Sequence, residues 1–267
     1  MKNNFLVDFK DTPFLKTSIT GAKMERLNWR CEVLLTRNID AIKNKKVLDL
    51  ASHDGRFSYA CLKLGAKHVT GIEAREHLVK NANDNMVETG CKKFKFIKGD
   101  VFDHISKINE KEYDTIICLG FFYHTLRQLE LLKEIKRIKP KYIILDTNIA
   151  EEICRSRIKK TISLVKQFRL KNLMNIPKFI DEQKRRESIE FKAALMIRSE
   201  NHMNEKSTID PINLVAWPTK SFIELSLNKS GFDFKEISWN KKEIKKELYL
   251  EDYKGKRRVS FIAKPKY

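Results

Sequence analysis

Residues 46 to 146 alternate in kind, and that alternation limits the fold more than any other feature of the chain. "KVLDL", "HVTGIEA", "KFKFIKGD", "YDTIICLG" and "KYIILDT" are short apolar or alternating runs of strand length. "YDTIICLG" is nearly continuous in apolar residues, as a strand buried on both faces must be. Between the strands lie helical segments. "RFSYACLKLGA" repeats Phe57, Ala60, Cys61 and Leu64 at helical spacing and stops at Gly65. "REHLVKNANDNMVETG" stops at Gly90, and the amphipathic "LRQLELLKEIKRI" stops near Pro140. Strand–helix alternation of this kind predicts an α/β fold, a doubly wound, mostly parallel sheet with right-handed crossovers. Ligands of such sheets sit beyond the carboxyl ends of the strands, near the switch in strand order.

Three places at those ends carry the functional signal. The first is "VLDLASHDGRFS", where the first strand turns into the first helix and unpaired backbone N–H groups suit a polar or anionic group. Gly55 there can bring backbone close to a ligand or take a positive φ. Ala51 is the next smallest residue type, and Ser52 or Asp54 can cap the helix. The second is Glu73, ending the second strand, where a carboxylate can accept two hydrogen bonds from a ribose diol. The third is "KGD", where Asp100 can accept from the exocyclic amine of an adenine with Val101 against the ring. Each has a plain structural alternative: Glu73 as a helix cap, Asp100 as the start of a turn.

With "TGIEAR", "FIKGDVFD" and "YDTIICLGFFYH", that turn resembles the successive motifs of class I S-adenosylmethionine-dependent methyltransferases. The resemblance covers roughly residues 24 to 146. It resumes at "VAWPTKSFIELSLNKSGFDFKEISW", the closing helix, Gly-Phe turn and sixth strand, with "RRVSFIAKP" as the seventh. It implies a seven-stranded Rossmann-like fold and S-adenosyl-L-methionine as cofactor. The implied contacts are Asp49, Ala51, Ser52, His53, Gly55, Glu73, Ala74, Asp100, Val101, Leu119 and Gly120. The family's first motif, D-x-G-x-G-x-G, is answered by Asp49, Ala51, His53 and Gly55, so two of its three glycines are replaced.

Methyl transfer from a sulfonium is an in-line displacement, helped mainly by positioning and exclusion of water. A hydroxyl acceptor also calls for a general base. His124 in "GFFYHT", just past the fourth strand, is the candidate, because imidazole changes charge near neutral pH, and Tyr123 beside it is taken as the second catalytic residue. The resemblance agrees, since small-molecule O-methyltransferases place a catalytic His at about this position. The alternative is that Tyr123 and His124 line the pocket or cap the next helix. In "KMERLNWRCEVLLTRNIDAI", read as a helix packed on the sheet, Arg26, Trp29 and Arg30 can face an acceptor, and Trp217 is placed on the same side.

The organisation read from these features is an N-terminal helical, substrate-side cap over 1–45 and a cofactor-binding core over 46–146. A basic, largely helical insertion over 147–215 follows the fifth strand, and 216–267 closes the core. In the insertion Ile158, Ile162 and Val165 form a helical stripe, and between residues 155 and 192 there are 12 Lys and Arg against 4 Asp and Glu. "EQKRRE" is its densest point, and "FKAALMIRSE" reads as extended. A lid, an anion site, an RNA-binding face, a solvated helix or a dimer contact all fit that pattern. A net charge of +19 fits RNA binding, but most of the basic residues are Lys rather than the Arg forks that phosphate readout favours.

Five scattered cysteines without C-x-x-C argue against zinc or a disulfide framework and for a reducing compartment, the cytoplasm. No metal ligand set is expected. The N-terminus does not read as a secretory or transit peptide, and no run is long enough for a membrane helix. The expectation is methyl transfer to an O or N nucleophile of a small-molecule acceptor. The alternatives are RNA methylation or carboxymethylation, through a likeness to tRNA wobble-uridine carboxymethyltransferases, and a non-catalytic nucleotide-binding scaffold.

Overall fold

A computed structural model describes residues 4–20, 23–151, 193–204 and 207–266. Two helices, α1 (Phe14–Thr17) and α2 (Met24–Leu34), precede the sheet. The central run follows as β1 (Lys46–Leu50), α3 (Arg56–Lys63), β2 (His68–Glu73), α4 (Glu76–Glu88), β3 (Phe94–Lys98), α5 (Val101–Ile105), β4 (Thr115–Leu119), α6 (Gln128–Ile138) and β5 (Tyr142–Asn148). The chain then gives β6 (Leu195–Ser199), β7 (Leu214–Pro218), α7 (Lys220–Lys229), β8 (Phe232–Glu236), α8 (Lys241–Ile244), α9 (Glu251–Lys254) and β9 (Arg258–Pro265).

The main sheet has seven strands in the order β3-β2-β1-β4-β5-β9-β8. Pairs among the first five are parallel, while β9 runs antiparallel to both β5 and β8. This is the doubly wound, mostly parallel arrangement expected, and β1 and β4 flank its switch point.

Strand periodicity sends successive residues to opposite faces, so each central strand supplies both cores. Leu48, Leu50, Ile116, Cys118, Ile143 and Leu145 pack with Phe102, Ile105, Leu131, Ile135, Ile223 and Leu227 from α5, α6 and α7. On the other face Val47, Val69, Ile117 and Ile144 meet Leu27 and Cys31 of α2, with Phe57, Ala60 and Cys61 of α3. Burial at roughly 25 cal/mol per Å² on two faces rigidifies the strands and fixes where their carboxyl ends point.

Several boundaries differ from the sequence reading. The first long helix stops at Leu34 and passes into a 3-10 turn, Thr36–Ala41, kinked at Asn38. β5 runs on to Asn148, beyond the expected boundary at 146. The described residues of the insertion, 147–151, 193–204 and 207–215, form no helix. "ALMIRSE" pairs as β6 with β7 in a separate antiparallel ribbon, Leu195 opposite Pro218, so the boundary at 215 falls inside a strand. The stripe Ile158, Ile162 and Val165 and the basic point Lys184 to Arg186 lie outside the described residues. No helix among the described residues is long and apolar enough to cross a membrane.

Candidate active site

A cavity of about 990 Å³ opens at the carboxyl ends of the parallel strands. Ala51, Ser52 and His53 of the turn from β1 to α3 form its lower wall, and within that turn Ala51 (φ 55°), His53 (φ 55°) and Gly55 (φ 82°) all take the left-handed conformation. The turn therefore keeps the backbone of a glycine-rich loop with two side chains in place of glycines. Each such L residue costs about 1–2 kcal/mol, so surrounding contacts must hold the turn. They centre on Asp54, which accepts from Arg56 Nε (2.6 Å) and Thr17 Oγ1 (2.7 Å) and faces His53 Nδ1 at 3.2 Å. Burial alone would raise the Asp54 carboxyl, but Arg56 and His53 outweigh it and hold it well below the usual carboxylate range. Burial, reinforced by Arg56, lowers the His53 imidazole.

The expected cap on α3 is absent. Gly55 occupies the N-cap position, no side chain caps the helix, and the Ser52 hydroxyl is buried without a partner among the described residues. Asp49, at the end of β1, lines the cavity and accepts from Ser58 Oγ at 2.7 Å. Burial lifts its carboxyl to about 7, with Glu73 and Asp54 adding to the rise.

Glu73 and Asp100 reach the cavity from the neighbouring ends of β2 and β3. The Glu73 carboxylate accepts from the backbone N–H groups of His53 (3.0 Å) and Arg75 (2.9 Å), one on each oxygen. A carboxylate offers about four acceptor positions, so both oxygens keep capacity for a ligand. Asp100 caps α5 by accepting from Phe102 N at 2.7 Å through Oδ1, so its turn-starting role and its place in the cavity coexist. Ala74, Val101, Leu119 and Gly120 line the space between.

The opposite wall is a 3-10 turn, Phe122–His124, after β4. His124 Nδ1 lies 2.7 Å from Glu200 Oε2, and Thr208 N donates to the same oxygen at 3.1 Å. Partial burial would raise Glu200, but His124 and Thr208 hold it below its ordinary value. The Tyr123 ring centre is 4.0 Å from that of His124 and 5.4 Å from that of Trp217.

A family model described as a methyltransferase domain matches residues 42–208, more than half of the chain. The chain belongs to the methyltransferase-domain family. Among curated relatives, a tRNA U34 carboxymethyltransferase of Nautilia profundicola is 31% identical over 118 residues, covering 41% of this chain and 36% of that protein. Another, from Trichodesmium erythraeum, is 27% identical over 131 residues, covering 48% of this chain and 39% of that protein. These matches therefore span well under half the length of either relative. Of solved structures, the N-terminal domain of EvdMO1 with SAH bound superposes with a TM-score of 0.57 at 14% identity, covering 86% of this chain and 79% of that one. An S-adenosylmethionine-dependent methyltransferase from Mesorhizobium loti gives 0.55 at 11% identity, covering 89% and 99%. At such identities the likeness establishes the fold.

Two placements in this methyltransferase-family domain differ from the sequence reading. Gly55 is not on the cavity wall: a Cβ there would meet Phe96 Cζ at 2.9 Å and the Ala82 side chain at 3.2 Å, on the side of β3 and α4. Its positive φ serves the turn and the packing beneath it. Trp29 is also outside the cavity. It is buried with Val33, Ile244, Leu250 and Tyr253, because one residue along a helix rotates a side chain by about 100° away from Arg30. Arg26 and Arg30 do line the cavity, Arg26 paired in a two-pronged contact with Asp252 (2.7 and 2.8 Å). Trp217 lines it too, with the Arg198 guanidinium 4.2 Å over its ring.

Sequence reasoning missed Glu200, Asp146, Tyr253 and Arg258. Asp146 is buried beneath the cavity and is held to about 2: burial would raise it, but Arg258 and Arg30 prevail. The visible signal was an acidic residue inside the apolar run "KYIILDT", which burial obliges to find cationic partners. Among the described residues no three His, Cys, Asp or Glu side chains group to hold a metal ion.

Proposed function

We propose that this domain transfers a methyl group from S-adenosyl-L-methionine to an O or N nucleophile of a small-molecule acceptor, with His124 as general base. The observation that carries the reading is the His124–Glu200 pair, whose His124 lines the same cavity as Glu73 and Asp100.

The residues present fit the cofactor. Glu73 retains acceptor positions suited to a ribose diol, and Asp100 Oδ2 is free of hydrogen bonds among the described residues and suits an adenine amine. Val101 offers an apolar surface beside it. The cavity volume lies at the upper end of the range for small-molecule sites, about 300–1,000 Å³, leaving room for a second ligand. When bound, S-adenosylmethionine supplies an electrophilic methyl group on a sulfonium.

The chain's own groups do the rest. Glu200 takes the Nδ1–H of His124, which leaves the lone pair on Nε2 to accept the acceptor's proton. The Tyr123 ring packs against the imidazole at a tilt of 37° and helps to hold it in place. A base so placed typically contributes on the order of 10²–10⁴-fold.

The second reading, transfer to tRNA, is favoured by the carboxymethyltransferase relatives and the net charge of +19. The test is incubation with methyl-labelled S-adenosylmethionine and a cell extract divided into metabolite and RNA fractions. Label in the metabolite fraction, lost in His124→Gln, supports the first reading. Label in RNA would replace it with the second, and binding without transfer to either would leave a scaffold.

A further inference from the structure

Asp146 accepts from Arg30 Nη2 (2.7 Å), Arg258 Nε (2.8 Å), Ser260 Oγ (2.7 Å) and the Tyr253 hydroxyl (3.1 Å). Two guanidiniums thus share one carboxylate, with their side chains only 10% and 6% exposed. Both line the cavity, and neither is fully used. Arg30 Nη1 and Arg258 Nη2 make no hydrogen bond among the described residues, and Arg30 Nε is enclosed without a partner. Arg258 Nη2 lies 3.2 Å from where a Cβ on Gly120 would stand, at the end of β4. Further out, Asp252 pairs with Arg26 and also stands 4.0 Å from Arg258 Nη1. With Lys23, Arg257 and Glu251 also lining the cavity, five cationic side chains on this side face three carboxylates (Asp146, Glu251 and Asp252), which leaves a positive surplus. A buried charge without a counter-charge is costly.

We propose that Arg30 and Arg258 form an anion subsite for the acceptor: the molecule that is methylated carries a carboxylate or phosphate group that docks on these two guanidiniums. The proposal rests on the methyl-donor reading above. The donor does not answer the surplus, because its sulfonium is cationic and its amino-acid end carries an ammonium beside its carboxylate. A guanidinium presents N–H groups in a planar fork that matches the paired oxygens of either anion. The depth of the pair admits a small terminal group rather than a broad anionic surface. It also lies near the base, since the Arg258 guanidinium is 5.8 Å from the Tyr123 ring, which packs against His124.

The test is calorimetric titration of inorganic phosphate and of malonate into the full chain saturated with S-adenosylhomocysteine, at constant ionic strength. The expected result is saturable binding to the unmodified protein, weakened at least about tenfold in Arg258→Lys and Arg30→Lys, which keep a cation against Asp146 but lose the fork. S-adenosylhomocysteine affinity should stay within about threefold in both variants. No anion binding to the loaded protein would overturn the proposal alone. So would a loss of S-adenosylhomocysteine affinity in the variants with 5′-methylthioadenosine affinity unchanged, which would assign the pair to the donor's own carboxylate. Failure of S-adenosylhomocysteine to bind the unmodified protein would bring down the methyl-donor reading with it.

Discussion

Replacing Gly55 with Ala separates two roles that a glycine in this turn can have. If it serves the turn and the packing beneath, Gly55→Ala damages stability and spares ligand binding. Its φ of 82° puts an L residue in the left-handed region, costing about 1–2 kcal/mol. The new Cβ would stand 2.9 Å from Phe96 Cζ and 3.2 Å from the Ala82 side chain, and overpacking of this kind costs about 1–3 kcal/mol. Reduced freedom of the unfolded chain returns about 0.4–1 kcal/mol. The net loss is about 1–4.6 kcal/mol, which for a chain of this size lowers Tm by roughly 2–18 °C. Differential scanning calorimetry measures that shift. Titration of S-adenosylhomocysteine well below the transition should give a Kd within about threefold of the unmodified protein. A tenfold loss of affinity with Tm unchanged would refute the reasoning and return Gly55 to the cavity wall.

Three further outcomes are expected. Glu73→Gln should weaken S-adenosylhomocysteine about tenfold or more, since hydrogen bonds to a charged acceptor are worth about 1.5–3 kcal/mol, and unchanged affinity by calorimetry would misplace the ribose. Glu200→Gln should lower kcat at least about tenfold without changing cofactor affinity, with Glu200→Asp recovering part of the rate; an equal loss in both variants together with a lower Tm would reduce Glu200 to a structural role. Asp49 titrates at about 7 in the folded chain, against about 4 when unfolded, so the folded state holds an extra proton between those values. Stability from this group therefore falls as pH rises from about 4 to 7 and levels off above. The Tm of Asp49→Asn relative to the unmodified protein should climb from pH 5 to pH 8, and a constant difference would contradict the assignment.

The strands and helices around the cavity were legible because each carries its own periodicity. Glu73 and Asp100 were legible for the same reason: once a strand's end is known, the residue there is aimed at the cavity. Gly55 misled because a positive φ is equally needed by a loop that cradles a ligand and by one that folds onto Phe96. Trp29 was within reach of the sequence, since Arg26 and Arg30 are spaced i, i+4 on one face and Trp29 is not. Glu200 and Arg258 were beyond it. Glu200 meets His124 across 76 residues only because β6 pairs with β7, and Arg258 meets Asp146 across 112 only because β9 inserts antiparallel beside β5.

A crystal structure of the chain with S-adenosylhomocysteine bound tests the central claim most directly. The expected result has the ribose hydroxyls on Glu73, the adenine beside Asp100 and Val101, and the sulfur opening toward His124. The ligand lodged elsewhere, or Glu73 and His124 meeting different molecules in unconnected spaces, would contradict the account.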